Sequence, residues 1–420
     1  MIDIERLWSD IEAMASIGRR PEGGVSRGAF SPVEQEARGY LIERMRECGL
    51  AVVTDAAGNI FGRLDGEGAG EGAAVIAGSH IDSVEGGGDY DGVLGVFGAL
   101  ECVRTLQDRK VPLRRPVEVA AFADEEERFY GFLGSYAFTG RLEYSDIAEV
   151  RDADGARLLD AMQALGLDPS VIADARRPAE EIHAFVELHI EQGPTLDREG
   201  LPIGVVDRVK GNYRFNVRVE GRSDHAGAPP EGRCDAFMLL HRLIARHLRR
   251  QAESGDPELS CTIGRVTVEP NIETVQPGVA ECSVDLRSSV PEVLRNAQVE
   301  LERAAEELAA EHGAAIRISS ILREEPLQFD AAVVAAIDTA AGELGYARRF
   351  IASGAGHDAQ VIGRYAPAAM IFVPSVGGRS HCPEELTGRE DIERGVNVLY
   401  RTLVALAGYR TLQGGAGRTG

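Results

Sequence analysis

The chain has 420 residues, 44% hydrophobic and 27% charged, a composition that excludes a disordered protein. Its length exceeds one ordinary core and suits two domains. Against 67 Asp and Glu stand 45 Lys and Arg, a formal charge of -22, so the surface repels phosphate backbones and anionic lipid and excludes nucleic-acid and membrane partners from the expected reading.

In chain order, the first run, MIDIERLWSDIEAMASIG, has no basic segment leading into an apolar one, and no signal peptide is expected. No stretch approaches the roughly 18 apolar residues of a membrane span. Cys48, Cys102, Cys234, Cys261, Cys282 and Cys382 form no CxxC pair and read as reduced thiols, with the cytoplasm as the default compartment. Apolar spacing predicts helices over 2–17 and 33–48, the second behind Ser31-Pro32 as N-cap and first helical residue. Short β-type runs follow at 50–54, 59–64 and 73–77, then a glycine loop at 86–88 and an apolar helix over 92–106. The continuous apolar run Val117–Phe122 is a strand covered on both faces. Strands alternating with helices imply a mainly parallel α/β sheet.

Near Lys210 the pattern changes. YRFNVRVEG alternates apolar and polar residues, as a half-exposed antiparallel strand does. A helix over 234–253, strands at 260–267 and 278–287, a helix over 291–312 and a strand at 315–319 complete a βαββαβ order. After about Pro326 the alternation resumes at 331–344, 368–373 and 389–407, and the tail GGAGRTG is expected to be disordered. The predicted layout is a discontinuous α/β catalytic domain, 1–210 plus 326–420, with an inserted α+β lid over 211–325.

Nine histidines are present, and three lie among acids and glycines at strand ends: His80, His189 and His381. In GSHIDSVEGGGDYDG, His80 and Asp82 alternate by two, so on a strand Asp82 would face His80 and fix its tautomer. Asp91, between a glycine turn and a helix, is placed to present a bridging carboxylate. FADEEERF closes the buried strand, and its adjacent acids Asp124 to Glu127 repel one another unless cations neutralise them. ELHIEQGP carries His189, Glu191 and Gln192, and FVPSVGGRSHCPEE carries His381. Each cluster alone is as well explained by a solvated polar turn. Four in succession, each at a strand end where open α/β sheets build their sites, indicate a hydrolytic metal centre.

The set GSHIDSV…GGGDYDG, DEEERF…LGS, ELHIEQGP, GRSDHAGAPPEGRCDA, SGAGHDA and GGRSHCPEE resembles the amidase/hydantoinase/carbamoylase branch of the dimetal aminoacylase and carboxypeptidase superfamily, from about Gly24 to Ala407. HIEQGP and SGAGHDA are specific to that branch, whereas HxD and SH-x-P-x-E mark the wider superfamily. The resemblance implies two divalent metal ions, zinc first and otherwise manganese, cobalt or nickel. His80, Asp91 and His189 would hold one; Asp91, Glu126 and His381 would hold the other. It also implies Glu125 as general base, Asp82 as the residue orienting His80, and a lid histidine, His225, that polarises the scissile carbonyl, often from a neighbouring subunit. Only Glu127 separates Glu125-Glu126 from Arg128-Phe129, where the common EEGxRF form has two residues, so Glu126 and Glu127 are the alternative base and ligand; the preceding strand favours Glu125 and Glu126. Arg287 matches the arginine that grips the substrate carboxylate, a task suited to a guanidinium fork. Gln192 and His357 are further candidate substrate contacts. Arg233 and Asp235 match R-x-D-A and suit either a salt bridge steadying the lid helix or substrate contact. Thr274 stands where relatives carry asparagine, with Asn271 three residues earlier as a candidate replacement, which bears on substrate identity. The implied activity is hydrolysis of a small ureido or amide substrate bearing a carboxylate: an N-carbamoyl-L-amino acid, allantoate or a related ureido acid. A homodimer through the lid is implied as well. The rival readings are an aminoacylase or dipeptidase acting on ordinary amides, a metal-free binding homologue, and a calcium-binding protein, the last disfavoured by three histidines because calcium prefers oxygen.

Overall fold

The computed structural model describes residues 1–66, 72–254 and 259–408; the glycine-rich tail expected to be disordered lies outside them. The strands in chain order are β1 (Ala51–Thr54), β2 (Ile60–Leu64), β3 (Ala74–His80), β4 (Val117–Phe122), β5 (Ile182–Ile190), β6 (Ile203–Val209), β7 (Gly211–Glu220), β8 (Asp224–His225), β9 (Ser260–Glu269), β10 (Val275–Gln276), β11 (Val279–Ser288), β12 (Ala315–Glu324), β13 (Leu327–Gln328), β14 (Arg348–Ser353) and β15 (Ala368–Val373). They fall into two compact units, Met1–Asp207 with Phe329–Gly420, and Arg208–Gln328.

The first unit is built on a sheet ordered β1-β2-β4-β3-β5-β15-β6, with β14 also against β6. Its centre, β4-β3-β5-β15, is parallel, and its margins are antiparallel. β3, β4 and β15 are buried along their whole length, as strands covered on both faces must be. On β5, Leu188 faces the helices Val93–Asp108 and Arg389–Ala407, which approach it at Gly98 and Gly395. By alternation Glu187 and His189 point to the opposite face, where Ala359 N–H donates to Glu187. The helix Pro32–Glu47 begins as its sequence predicts, with Ser31 Oγ accepting from Glu34 N–H and proline at the first position. The short helices Leu133–Phe138, Tyr144–Ile147 and Leu158–Ala164, which sequence spacing did not reveal, enclose a second small core around Phe129, Leu142 and Met162.

The second unit is a four-stranded antiparallel sheet, β12-β7-β11-β9, carrying the helices Ala236–Ser254 and Pro291–His312. β7 and β11 alternate residue by residue between buried and partly exposed positions. Tyr213, Phe215, Val217 and Val219 therefore meet Leu239, Leu243, Leu294 and Leu301 in a core of their own, while Arg214, Asp285 and Arg287 stand on the opposite, polar face. Among the described residues no helix is long and apolar enough to cross a membrane, and all six cysteines are free.

Candidate metal-dependent active site

Each inward chemical group leaves the carboxyl end of one of the four central parallel strands, where the chain turns and side chains converge. His80 is the last residue of β3, and Glu125 and Glu126 follow β4 after a two-residue turn. His189 is the penultimate residue of β5, and His381 lies on the loop after β15. Asp91 precedes the helix Val93–Asp108.

These residues meet around Asp91. Its Oδ1 lies 3.0 Å from His189 Nε2 and 3.4 Å from His80 Nε2, and its Oδ2 lies 3.3 Å from His381 Nε2. His381 Nε2 is also 3.3 Å from Glu126 Oε1, and Glu125 Oε2 is 3.7 Å from His80 Nε2. One carboxylate thus offers one oxygen to each of two donor groups, His80–Asp91–His189 and Asp91–Glu126–His381, whose candidate ligand atoms lie within 4.8 Å of one another. Gly92 (φ +65°) makes the convergence possible, since a Cβ there would lie 2.5 Å from the His80 ring. Glu127 is exposed and belongs to neither group; Glu125 and Glu126 turn inward.

The hydrogen bonds leave the ligand atoms turned toward one another. His189 Nδ1–H donates to Ile190 O at 2.9 Å and His80 Nδ1–H to Asp82 O at 3.1 Å. A carbonyl can only accept, so each imidazole carries a proton on Nδ1 and turns Nε2 inward, where the neutral ring presents a lone pair. His189 Nε2 is buried and makes no hydrogen bond despite its nearness to Asp91. A buried nitrogen lone pair facing carboxylate oxygens is the arrangement that a divalent cation resolves, so the residues fit a metal. A further group, Glu187–His189–His357, is already satisfied: Glu187 accepts from Ser79 Oγ and Ala359 N, and His357 Nε2 meets Ser353 Oγ at 2.9 Å.

The charge balance points the same way. Burial pushes the Asp91 carboxyl up, but His189 and the other two imidazoles outweigh it and hold it well below the carboxylate range. Hydrogen bonding to Asp91 and then Glu126 pushes His381 up to about 10. Burial, reinforced by Glu126, lifts Glu125 well above an ordinary glutamate, although His80 opposes the shift. Without a cation the cluster holds protons that a cation would displace.

One expectation is corrected here. β3 ends at His80, so the two-residue alternation does not reach Asp82; the Asp82 main-chain carbonyl takes the His80 proton, and its carboxylate, 3.6 Å from that nitrogen, accepts from Glu125 N–H at 3.4 Å and Glu126 N–H at 3.1 Å. The acids after β4 do not all face the cluster either. Asp124 is fully buried and accepts from the amides of Arg128, Phe129 and Tyr130, folding the loop back so that its neighbours point inward. Gln192 donates to Asp91 Oδ2 at 2.7 Å, and His357 lies buried behind His189, ring centroids 4.5 Å apart. Glu385 and Ser380, which the clusters did not single out, contact the Asp91 loop directly; their place in SH-x-P-x-E was the available signal.

Within the second unit, Arg287 pairs side-on with Asp285, Nε–Oδ1 2.9 Å and Nη2–Oδ2 3.1 Å, beside a cleft of about 570 Å³ that Arg214, Arg265, Thr262 and Ser283 also line. His225 is exposed on β8, and its Nδ1 accepts from Gly227 N–H at 3.0 Å, which leaves Nε2 to carry the proton. Asn271 is exposed in left-handed backbone (φ +53°), and Thr274 contributes its carbonyl to Ala226 N–H. Arg233 holds the carbonyls of Ala226 and Pro229, and Asp235 caps the start of the helix by accepting from Met238 N–H.

A family model described as peptidase family M20/M25/M40 matches residues 76–405. The chain belongs to that family. It is 37% identical over 409 residues to an N-carbamoyl-L-amino acid amidohydrolase of Geobacillus stearothermophilus, covering 97% of this chain and 99% of the relative. An allantoate amidohydrolase of Bacillus subtilis (strain 168) is 37% identical over 400 residues, 94% of this chain and 96% of the relative. The crystal structure of an amidase of the hydantoinase/carbamoylase family from Burkholderia multivorans superposes with a TM-score of 0.87 at 35% identity, covering 97% of this chain and 98% of that one. M20 enzymes are metal-dependent, in keeping with the donor set around Asp91.

Proposed function

We propose that this M20-family protein hydrolyses the C–N bond of a linear ureido or amide acid, as an N-carbamoyl-L-amino acid or allantoate-type amidohydrolase with two divalent cations. The observation that carries the reading is Asp91, with one carboxylate oxygen toward His80 and His189 and the other toward His381. The amidohydrolases that match nearly the whole chain support the reaction class; the substrate within that class and the metal, zinc ahead of manganese, cobalt or nickel, are the proposed part.

His80, Asp91 and His189 would hold one ion, and Asp91, Glu126 and His381 the other; bound there, the pair would acidify water and polarise the substrate carbonyl. The Glu125 carboxylate takes a proton from the attacking water and delivers it to the nitrogen as the C–N bond breaks. Its burial suits the task, because a base lifted above the ordinary glutamate range holds a proton more strongly. Asp82 keeps Glu125 and Glu126 inward through their main-chain amides. The 211–325 segment acts as the lid. From it His225 Nε2–H donates to the developing oxyanion, and Arg287, oriented by Asp285, grips the substrate carboxylate. Gln192, Asn271 and His357 complete the proposed contacts. The enzyme works as a homodimer through this lid, a reading supported by the exposed Phe237 and Met238 on one helix and by the open edge of β9 with exposed Val266, and it resides in the cytoplasm, consistent with six free cysteines.

The test is ammonia release from a panel of N-carbamoyl amino acids and allantoate, beside acid release from N-acetyl amino acids, using chelated protein resupplied with single divalent ions. Metal-restored ammonia release is expected. Preference for N-acetyl substrates would replace the reading with an aminoacylase, and a protein that binds no divalent ion would end it.

A further inference from the structure

We propose that Glu385 is a positioning residue that sets the orientation of Asp91, and so the affinity of the cluster for divalent cations; this rests on the metal-dependent reading above. Glu385 lies on the same loop as His381 yet 294 positions from Asp91, and it is 6% exposed. Its Oε1 accepts from Tyr90 N–H at 2.9 Å and from Asp91 N–H at 3.1 Å, and its Oε2 accepts from Ser380 Oγ at 2.8 Å. Ser380 Oγ in turn lies 2.9 Å from Asp91 Oδ2. The main chain of Asp91 is therefore tied to the Glu385 carboxylate directly, and Ser380, set between the two carboxylates, gives its one proton to either.

Two further observations separate this role from ligation or mere packing. Both Glu385 oxygens are occupied by donors, and Glu385 belongs to none of the donor groups found among the described residues. The fold also keeps space for it: a Cβ at Gly88 would lie 2.1 Å from its carboxyl, so only glycine fits beneath. Asp91 can serve two donor groups only if its carboxylate is held with one oxygen to each side. A free aspartate would rotate about its side-chain bonds and lose that geometry, and partners that orient a ligand are typically worth 10–100-fold in metal affinity.

Glu385→Ala should weaken divalent-cation binding by about 10–100-fold, measured with zinc or manganese against a competing chelator. In metal-free protein, the same variant should speed hydrogen–deuterium exchange in a peptide spanning 86–92. Glu385→Gln should remain near wild type, because its amide oxygen still accepts both main-chain N–H groups and its NH₂ lets Ser380 direct its only proton to Asp91. Ser380→Ala should give an intermediate loss, and it stands in if Glu385→Ala fails to fold. Wild-type affinity and exchange in Glu385→Ala, or a glutamine variant as weak as the alanine one, would overturn the proposal. If the wild-type protein binds neither metal, the metal-dependent reading fails, while exchange in the metal-free proteins still decides the role of Glu385.

Discussion

Adding one methyl group at Gly92 tests the geometry of the cluster most directly. The built Cβ lies 2.5 Å from both Cε1 and Nδ1 of His80 and 2.6 Å from its Nε2, whereas ordinary contact begins near 3.4 Å. The imidazole must therefore retreat by roughly 1 Å, and the Gly92 backbone (φ +65°, ψ -47°), outside the left-handed helical well, adds about 1–3 kcal/mol of strain for an alanine. That retreat carries Nε2 away from Asp91 Oδ1, now at 3.4 Å, and strains the bond from Nδ1 to Asp82 O. A misplacement of about 1 Å at reacting or ligating atoms costs on the order of 100-fold. Gly92→Ala should therefore lose about 100-fold in kcat/KM for ammonia release at saturating cation, with the circular dichroism spectrum of the folded protein kept. Gly39→Ala is the control: nothing lies within 4 Å of its built Cβ, and in mid-helix the alanine should stabilise by up to about 1 kcal/mol. A Gly92→Ala enzyme within threefold of wild type would show that His80 does not need its position, and the proposed site would fall with it.

Glu125→Ala should keep both metal equivalents by elemental analysis while turnover disappears; retained hydrolysis would move the base elsewhere. Arg287→Lys breaks the side-on pairing with Asp285 and should raise KM for carboxylate-bearing substrates about tenfold or more at similar kcat, leaving an uncharged urea unaffected; an equal loss on both would refute carboxylate recognition. Restoring cation to about 100 times its Kd should raise the stability of chelated protein by about 2.7 kcal/mol, read as a higher Tm, and an unchanged Tm would mean that no native cation site exists. In chelated protein, His381 is pushed up to about 10 from an ordinary 6.5, so its contribution to stability is complete below about pH 6.5 and is lost as pH rises through 10. Burial lifts Asp124 from 3.8 to about 8, so the folded state again binds the extra proton and stability again declines as pH rises toward that value. The Tm of the metal-free protein should fall between about pH 7 and pH 9.5, less steeply in His381→Gln; identical slopes would contradict the pairing.

Much of this was legible because it is local. The strands Val117–Phe122 and Ala368–Val373 and the helices Pro291–His312 and Arg389–Ala407 lie where apolar periodicity places them, since burial of one face imposes a period on the sequence itself. The helices between Leu133 and Ala164 escaped because each spans less than two turns or draws its order from a neighbouring core, and so too short a repeat to register. Asp82 and Asp124 were seen as acids of the right kind in the right place. Which way each side chain turned depended on a strand ending at His80 and on a loop reversing at Asp124 (φ +52°) and Glu127 (φ +59°), neither of which the residue types announce.

By itself, then, the order of residues determined the periodic elements, the change of pattern near Lys210 and the presence of histidines and acids at strand ends. Only the folded chain decided which oxygen of Asp91 faces which imidazole, that a carbonyl rather than a carboxylate fixes His80, and that Glu385 reaches across 294 positions to hold the Asp91 loop. Periodicity is set by neighbours a few residues apart, whereas the direction of a ligating atom is set by parallel strands whose pairing partners lie far away in the chain.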